Sequence, residues 1–209
     1  MTLDAQSLQQ HIPYYLTAED QRVLVDELKA IARGGVADYL LSDYCDSFSQ
    51  VMLQGDGWRG FQLFIFDSGE RRRVRGVVLS NSCDVDPENP RDIPARLVFA
   101  PLVKLSAYEA LLVKTGIEPA KIGAKIAAIR AQKTTNIFFL PASGPLTEDY
   151  VVRLDEAHSM PVAAHVKSGE REKLFTLSNT GFYMLAFKLS VHFCRLQEKV
   201  CRKPTEAAA

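Results

Sequence analysis

The chain has 209 residues, of which 47% are hydrophobic, 24% charged and 9% aromatic. That is ample material for a core of its own, and it excludes a disordered chain, which needs low hydrophobicity with high net charge. Lys and Arg (25) balance Asp and Glu (25), which excludes the overall basic footprint of a dedicated nucleic-acid binder and leaves room only for a local patch.

Residues 2–15 show no clear period. Thr17 then reads as an N-cap, with Glu19 and Asp20 in the first turn where the helix dipole favours acids. Val23, Leu24, Leu28 and Ile31 mark one helical face, and Gly34–Gly35 ends it. From residue 36 to 103 the pattern is of strands and turns. Residues 50–53 read as a strand stopped at Gly55-Asp56-Gly57, residues 61–66 as an apolar strand, and Asp67-Ser68-Gly69 turns it back into a strand over 71–79. Residues 86–94 hold three prolines and read as a loop, and 97–102 resume as a strand.

Ser106 can cap a short helix running to Leu112 and closed by Gly116. Pro119 suits the first turn of a second helix, on which Ile122, Ile126 and Ile129 share a face. Residues 136–141 form a buried-type strand and 150–154 a further one. Ser178 or Asn179 opens the last helix, striped by Phe182, Leu185, Leu189, Phe193 and Leu196. The tail from Lys203 is expected to be loose. The expected class is α+β, a small curved antiparallel sheet with helices inserted and appended.

No apolar run approaches the ~18 residues of a membrane span, and residues 1–10 lack the cationic start and apolar stretch of a signal peptide. Cys45, Cys83, Cys194 and Cys201 are far apart with no CxxC pair, so zinc-ribbon spacing fails and reduced thiols are the default. The expectation is a cytoplasmic protein that meets no membrane. Asp84, Asp86 and Glu88 have the alternate spacing that starts a calcium loop, but its glycine is missing and Pro87 and Pro90 intrude. No metal or other cofactor is expected.

Two stretches invite chemistry. Arg71-Arg72-Arg73-Val74-Arg75 places four guanidiniums within five residues. On a strand Arg71, Arg73 and Arg75 project together and Arg72 points the other way. The run serves either a phosphate backbone, with Trp58 as a stacking partner, or a solvated edge whose charges block unwanted pairing. Ser80, Asn81, Ser82, Cys83 and Asp84 follow a buried strand, a normal place for functional groups. The same residues suit a plain Asx or Ser turn with Cys83 packed inward as a small hydrophobe. A Cys83 nucleophile needs a histidine, and His158 is the best placed of His11, His158, His165 and His192.

Three stretches in this order resemble the PemK, Kid and MazF toxins. They are Gly55-Asp56-Gly57-Trp58 with the apolar strand after it, Arg75-Gly76-Val77-Val78-Leu79-Ser80-Asn81, and the later strands over 136–141 and 150–161. The resemblance covers roughly residues 50–200 and implies a small SH3-like antiparallel β-barrel. On it, the chain divides into an N-terminal helical extension (1–45), a barrel domain (46–203) with a helical insertion at 106–133, and a tail (204–209). It further implies a toxin–antitoxin or defence setting, metal-independent cleavage of single-stranded RNA, dimerisation and a partner protein such as an antitoxin. Arg75 would stabilise charge at a scissile phosphate and Ser80 would help position it, with Ser82, Cys83 and Asp84 beside them. Strict alternation sets Arg75 and Ser80 on opposite faces, so their pairing needs a bulge, placed at Gly76. The alternative is a non-catalytic barrel that binds a partner protein.

Overall fold

The computed structural model of the chain describes residues 17–32, 38–41, 48–86 and 88–194. The expectations for His11, Gly34–Gly35, Cys45, Leu196, Cys201 and the tail lie outside them. Helix α1 (Ala18–Ala32) is followed by β1 (Gly57–Ile65) and β2 (Glu70–Val78), joined by a turn that Gly69 closes by donating to Ile65 O at 2.8 Å. A one-turn helix α2 (Ser82–Val85), β3 (Arg96–Lys104), α3 (Leu105–Lys114) and α4 (Pro119–Arg130) come next. Strands β4 (Ile137–Leu140), β5 (Tyr150–Arg153) and β6 (His158–Pro161), the short α5 (Val162–Val166), β7 (Glu172–Phe175) and α6 (Asn179–Cys194) complete the chain.

The fold is α+β around a seven-stranded antiparallel sheet in the order β4-β5-β3-β2-β1-β7, with β6 also on β3. The sheet is not closed among the described residues. Strand β3 takes β2 on one side, and β5 and β6 share the other: Leu102–Lys104 pair with β5 and Arg96–Phe99 with β6. A 3-10 turn at Leu154–Glu156 separates those two strands.

Both faces of the sheet are covered. Alternation sends Val77, Leu79, Ala100 and Leu102 against Met184, Leu185 and Phe187 of α6, while Val78, Leu97 and Phe99 pack with Met52, Trp58 and Val162. A third cluster joins Ile122, Ile126 and Ile129 of α4 to Ile137, Phe139 and Val151, so the isoleucine face is core. Tyr39 and Leu40 enter the main cluster, and Leu40 bridges to Leu177; the segment drawn as an extension thus contributes two side chains to the main core.

Three local expectations change. Residues 50–53 join no ladder because side chains take their backbone: the Asp56 carboxylate accepts from Leu53 N at 2.8 Å, and Lys173 Nζ donates to the Phe48 and Val51 carbonyls at 2.8 and 2.9 Å. Ser106 is not the cap of α3, since β3 runs straight into the helix and the Ser106 hydroxyl bonds Glu148 at 3.2 Å. The buried face of α6 is wider than a stripe, holding Tyr183, Met184, Leu185, Phe187 and Lys188, while Phe193 is 58% exposed. Lys188 is itself 2% exposed, with Nζ donating to the Thr134 and Ile137 carbonyls at 2.7 and 2.6 Å. It ties α6 to the turn that starts β4, and burial pulls its pKa down to about 7.

Candidate functional site

The cation-rich part of the sheet is organised by a bulge in β1. Trp58 faces Gly76 and Phe61 faces Val74, so Arg59 and Gly60 together oppose Arg75. Gly60 has φ +87°, and a Cβ on it would lie 2.9 Å from Ser168 Oγ and 3.1 Å from Arg171 N; both the left-handed backbone and the close approach require glycine. The bulge expected at Gly76 is therefore across the ladder at Gly60. Gly76 answers a different need: a Cβ there would meet Ala100 O at 2.8 Å and the Phe61 ring at 2.9 Å, beneath the stacked Phe61 and Phe99 rings, whose centroids are 4.4 Å apart.

At the bulge lies a cleft of about 440 Å³ whose lining includes Arg59, Arg73, Arg75, Lys104, Tyr150 and Glu170. Arg73 and Arg75 come from alternate positions of β2, Arg59 from the bulge, and Lys104 and Tyr150 from facing positions of β3 and β5. Three cations carry a carboxylate: Arg59 with Glu172 at 3.0 Å, Arg73 with Glu170, and Lys104 with Glu148. The Lys104 hydrogen bond holds the Glu148 carboxyl below its usual range, and the same bond raises Lys104. Arg75 has a phenol instead, donating through Nη1 to Tyr150 Oη at 3.3 Å. Exposed pairs of this kind hold loosely, so an incoming phosphate can exchange with the carboxylates.

The loop after β2 stands apart from this cleft. Arg75 precedes Gly76, which faces Pro101, whereas the Ser80 hydroxyl accepts from Val98 N at 2.7 Å. Strand β2 ends at Val78, and past it Leu79 N and Ser80 N both donate to the Val98 carbonyl at 2.8 and 3.3 Å, which ties Ser80 to β3 five residues along the chain from Arg75, roughly 16 Å at strand spacing. The structure does not bring Arg75 and Ser80 together. Ser82 Oγ accepts from Gln54 N at 2.9 Å, and Asn81 Oδ1 caps α2 by accepting from Cys83 N at 2.9 Å. The Cys83 carbonyl accepts from Asn89 and Arg91, and its thiol is exposed rather than packed inward. Asp84 is exposed on the same turn. Ser82 and Cys83 edge a second, more apolar cleft of about 370 Å³ with Val51, Met52, Val85 and Val162.

Trp58 is also differently placed. It is 1% exposed, with the Arg171 guanidinium 4.4 Å and Lys173 Nζ 5.4 Å from its ring centroid and His165 edge-on at 5.8 Å. A covered ring offers no face to a base, so the expected stacking role at Trp58 fails on burial. The Gly55-Asp56-Gly57-Trp58 run is an anchor of the fold. Asp56, 0% exposed, pairs with the nearly buried Lys173 at 2.8 Å, and burial nevertheless raises its pKa. His165 is sealed between Trp58 and Phe61 with neither ring nitrogen hydrogen-bonded, and His158 packs beside Phe99.

Of the arginine run, Arg71, Arg73 and Arg75 share a face and Arg72 lies on the other, opposite Leu63 and paired with Glu70 at 3.0 Å. Sequence reasoning missed Arg59, Lys104, Tyr150 and Glu170. Gly60 inside a strand was a readable sign of the bulge, whereas Lys104 and Tyr150 reach the cleft only through long-range pairing. Among the described residues no group of three His, Cys, Asp or Glu side chains comes together to hold a metal, and no helix is long and apolar enough to cross a membrane. No family model and no curated protein matches the chain.

Proposed function

We propose that this is an enlarged, divergent PemK/MazF-like protein of a bacterial toxin–antitoxin or defence system, which binds single-stranded RNA at the Arg75 cleft and cleaves it without a metal. The observation that carries the reading is the convergence of Arg59, Arg73, Arg75 and Lys104 on one cleft of about 440 Å³ in a chain of zero net charge. A concave cationic site recognises a phosphodiester through charge-assisted bonds. Arg75, whose partner is the neutral Tyr150 phenol rather than a carboxylate, keeps further guanidinium donors for a phosphate while that bond orients it, and offsets the charge that develops there. On this reading the sheet is an opened SH3-like barrel, Ser80 to Asp84 are scaffold, and the site is Arg75 with its cleft neighbours.

The test is incubation of the full chain with mixed single-stranded RNA in EDTA beside a folded Arg75→Ala variant. Cutting by the wild type alone supports the reading. A second reading, a non-catalytic module that binds a partner protein, draws on the apolar cleft beside Val51 and Val166, which are 43% and 51% exposed. RNA left intact by both proteins, with a partner complex indifferent to Arg75→Ala, favours it.

A further inference from the structure

Beyond the bulge the β1–β2 hairpin leaves the sheet. Strand β7 pairs with β1 only over Gly57–Arg59 and β3 with β2 only over Gly76–Val78, so residues 62–73 form a two-stranded ribbon with no further strand partner among the described residues. Its register fixes which side chains share a face. Phe64 lies opposite Arg71 and Gln62 opposite Arg73, on the face of Arg75; Leu63 lies opposite Arg72 and Ile65 opposite Glu70, on the other. Phe66, at the turn, contacts Phe64 with ring centroids 5.1 Å apart and planes at 89°, which puts it on the Arg75 side.

The result is a graded stripe. Lys104 and Tyr150 lead to Arg75 and Arg59, then Arg73 and Gln62, then Arg71 and Phe64, and finally Phe66. Phe64 and Phe66 are 44% and 84% exposed, although a ribbon tip gains nothing in stability from two open phenyl rings. The one acid of the ribbon strands, Glu70, is on the opposite face. Cations that track a backbone, interleaved with aromatic rings, are what an unpaired nucleic-acid strand needs, because every base has a π-face and stacking tolerates sequence.

We infer that Phe64 and Phe66 form a base-stacking platform that extends the Arg75 cleft along the ribbon, so that the nucleotides beside the bound phosphate lie across the Arg71–Phe64–Phe66 face. The inference rests on the RNA-binding reading of the cleft and supplies the aromatic partner that buried Trp58 cannot. Arg72, on the far face, takes no part.

Fluorescence anisotropy on the full chain tests it, with a labelled 12-nucleotide 2′-O-methyl oligouridine (which cannot be cleaved through its 2′ oxygen) and an abasic strand of equal length. The Phe64→Ala/Phe66→Ala variant is expected to bind oligouridine about tenfold or more weakly and the abasic strand as the wild type does. Arg75→Ala is expected to weaken both and to lower the salt dependence by about one phosphate contact. If the double variant matches the wild type on oligouridine while Arg75→Ala does not, the platform is overturned and the cleft reading stands. If the wild type binds neither strand, both fall. If a poly-glutamate peptide displaces oligouridine and the double variant loses the peptide equally, the surface serves an acidic protein and the inference is overturned. Should the double variant melt several degrees lower, Phe66→Ala alone carries the test, with Phe66→Trp expected to retain binding.

Discussion

Arg75 and Tyr150, on strands β2 and β5 that do not pair with each other, meet over the face of the intervening β3 at 3.3 Å from Nη1 to Oη. The Tyr150 ring is 4% exposed and belongs to the main core, while its hydroxyl faces the cleft. Its body is thus held by packing and its tip by Arg75, an amphipathic use typical of tyrosine. Tyr150→Phe should leave the melting temperature nearly unchanged and cost roughly fivefold in oligonucleotide affinity, the worth of about 1 kcal/mol for one orienting hydrogen bond. Anisotropy titration beside a thermal melt checks it, and unchanged affinity would mean that Arg75 is positioned without the phenol.

Gly60 sets the same site from the other strand. A side chain there meets both the left-handed backbone and the segment around Ser168 and Arg171. Gly60→Ala is expected to cost about 1–3 kcal/mol in urea unfolding. It should also flatten the bulge, moving Arg59 off the Arg75 face and lowering affinity more than Tyr150→Phe does. A Gly69→Ala control shares the positive φ (+69°) but has open space around it, so it should cost less and leave binding alone.

The two glycines show how far local sequence carries. The hairpin, the helices α1, α3, α4 and α6 and the isoleucine face of α4 follow from periodicity and punctuation, because those signals act within one element. Sequence alone points the bulge to Gly76, on the wrong strand, because glycine has two uses, freedom of φ at Gly60 and absence of Cβ at Gly76, and local sequence does not separate them. Trp58 looks like a platform from sequence because aromatic and basic residues lie close along the chain; its burial depends on Arg171, just before β7, and Lys173 within it, over a hundred residues away. The cleft as a whole was legible only in its β2 part, since Lys104, Tyr150 and Glu170 are brought in by pairing.

Asp56 and Lys173 form the tie beneath that arrangement, at 2.8 Å with side chains 0% and 3% exposed. Removing one charge leaves the other buried and uncompensated. Lys173→Met is expected to destabilise by about 3–5 kcal/mol, since it also strips donors from the Phe48 and Val51 carbonyls. The Asp56→Asn/Lys173→Met pair should recover part of that loss. A double-mutant cycle in urea measures the coupling, and additive single effects would show that the pair is not a unit.

His165 has a folded pKa pulled to about 4 by burial and then by the neighbouring Arg171 charge; the Gly60 backbone, outside hydrogen-bond geometry, pulls weakly the other way. The unfolded value is near 6.5, so the unfolded chain binds more protons between those limits. Stability is full above pH 6.5, falls as the pH drops toward 4, and is then flat, for a loss of about 3 kcal/mol at most. His165→Phe keeps a ring against Phe61 and should remove this slope. Parallel acid limbs for wild type and variant would sink the assignment.

Lys188 acts at the other end of the scale. Its folded pKa of about 7 lies below the unfolded 10.5, so again the unfolded chain holds the extra proton, and stability rises as the pH climbs from 7 to 10.5 and is lost as it falls back. The rise is up to about 5 kcal/mol. Lys188→Met keeps the apolar length of the chain but takes the ammonium donor from the Thr134 and Ile137 carbonyls, leaving Thr134 O with Ile137 N at 3.3 Å, and costs about 1–3 kcal/mol at high pH. Near neutral pH the two effects offset, because the wild type there bears the cost of burying a charge. The wild type should therefore gain on the variant steadily between pH 7 and 10 in paired urea titrations, and a constant gap across that range would show that the ammonium sits in the core without a displaced titration.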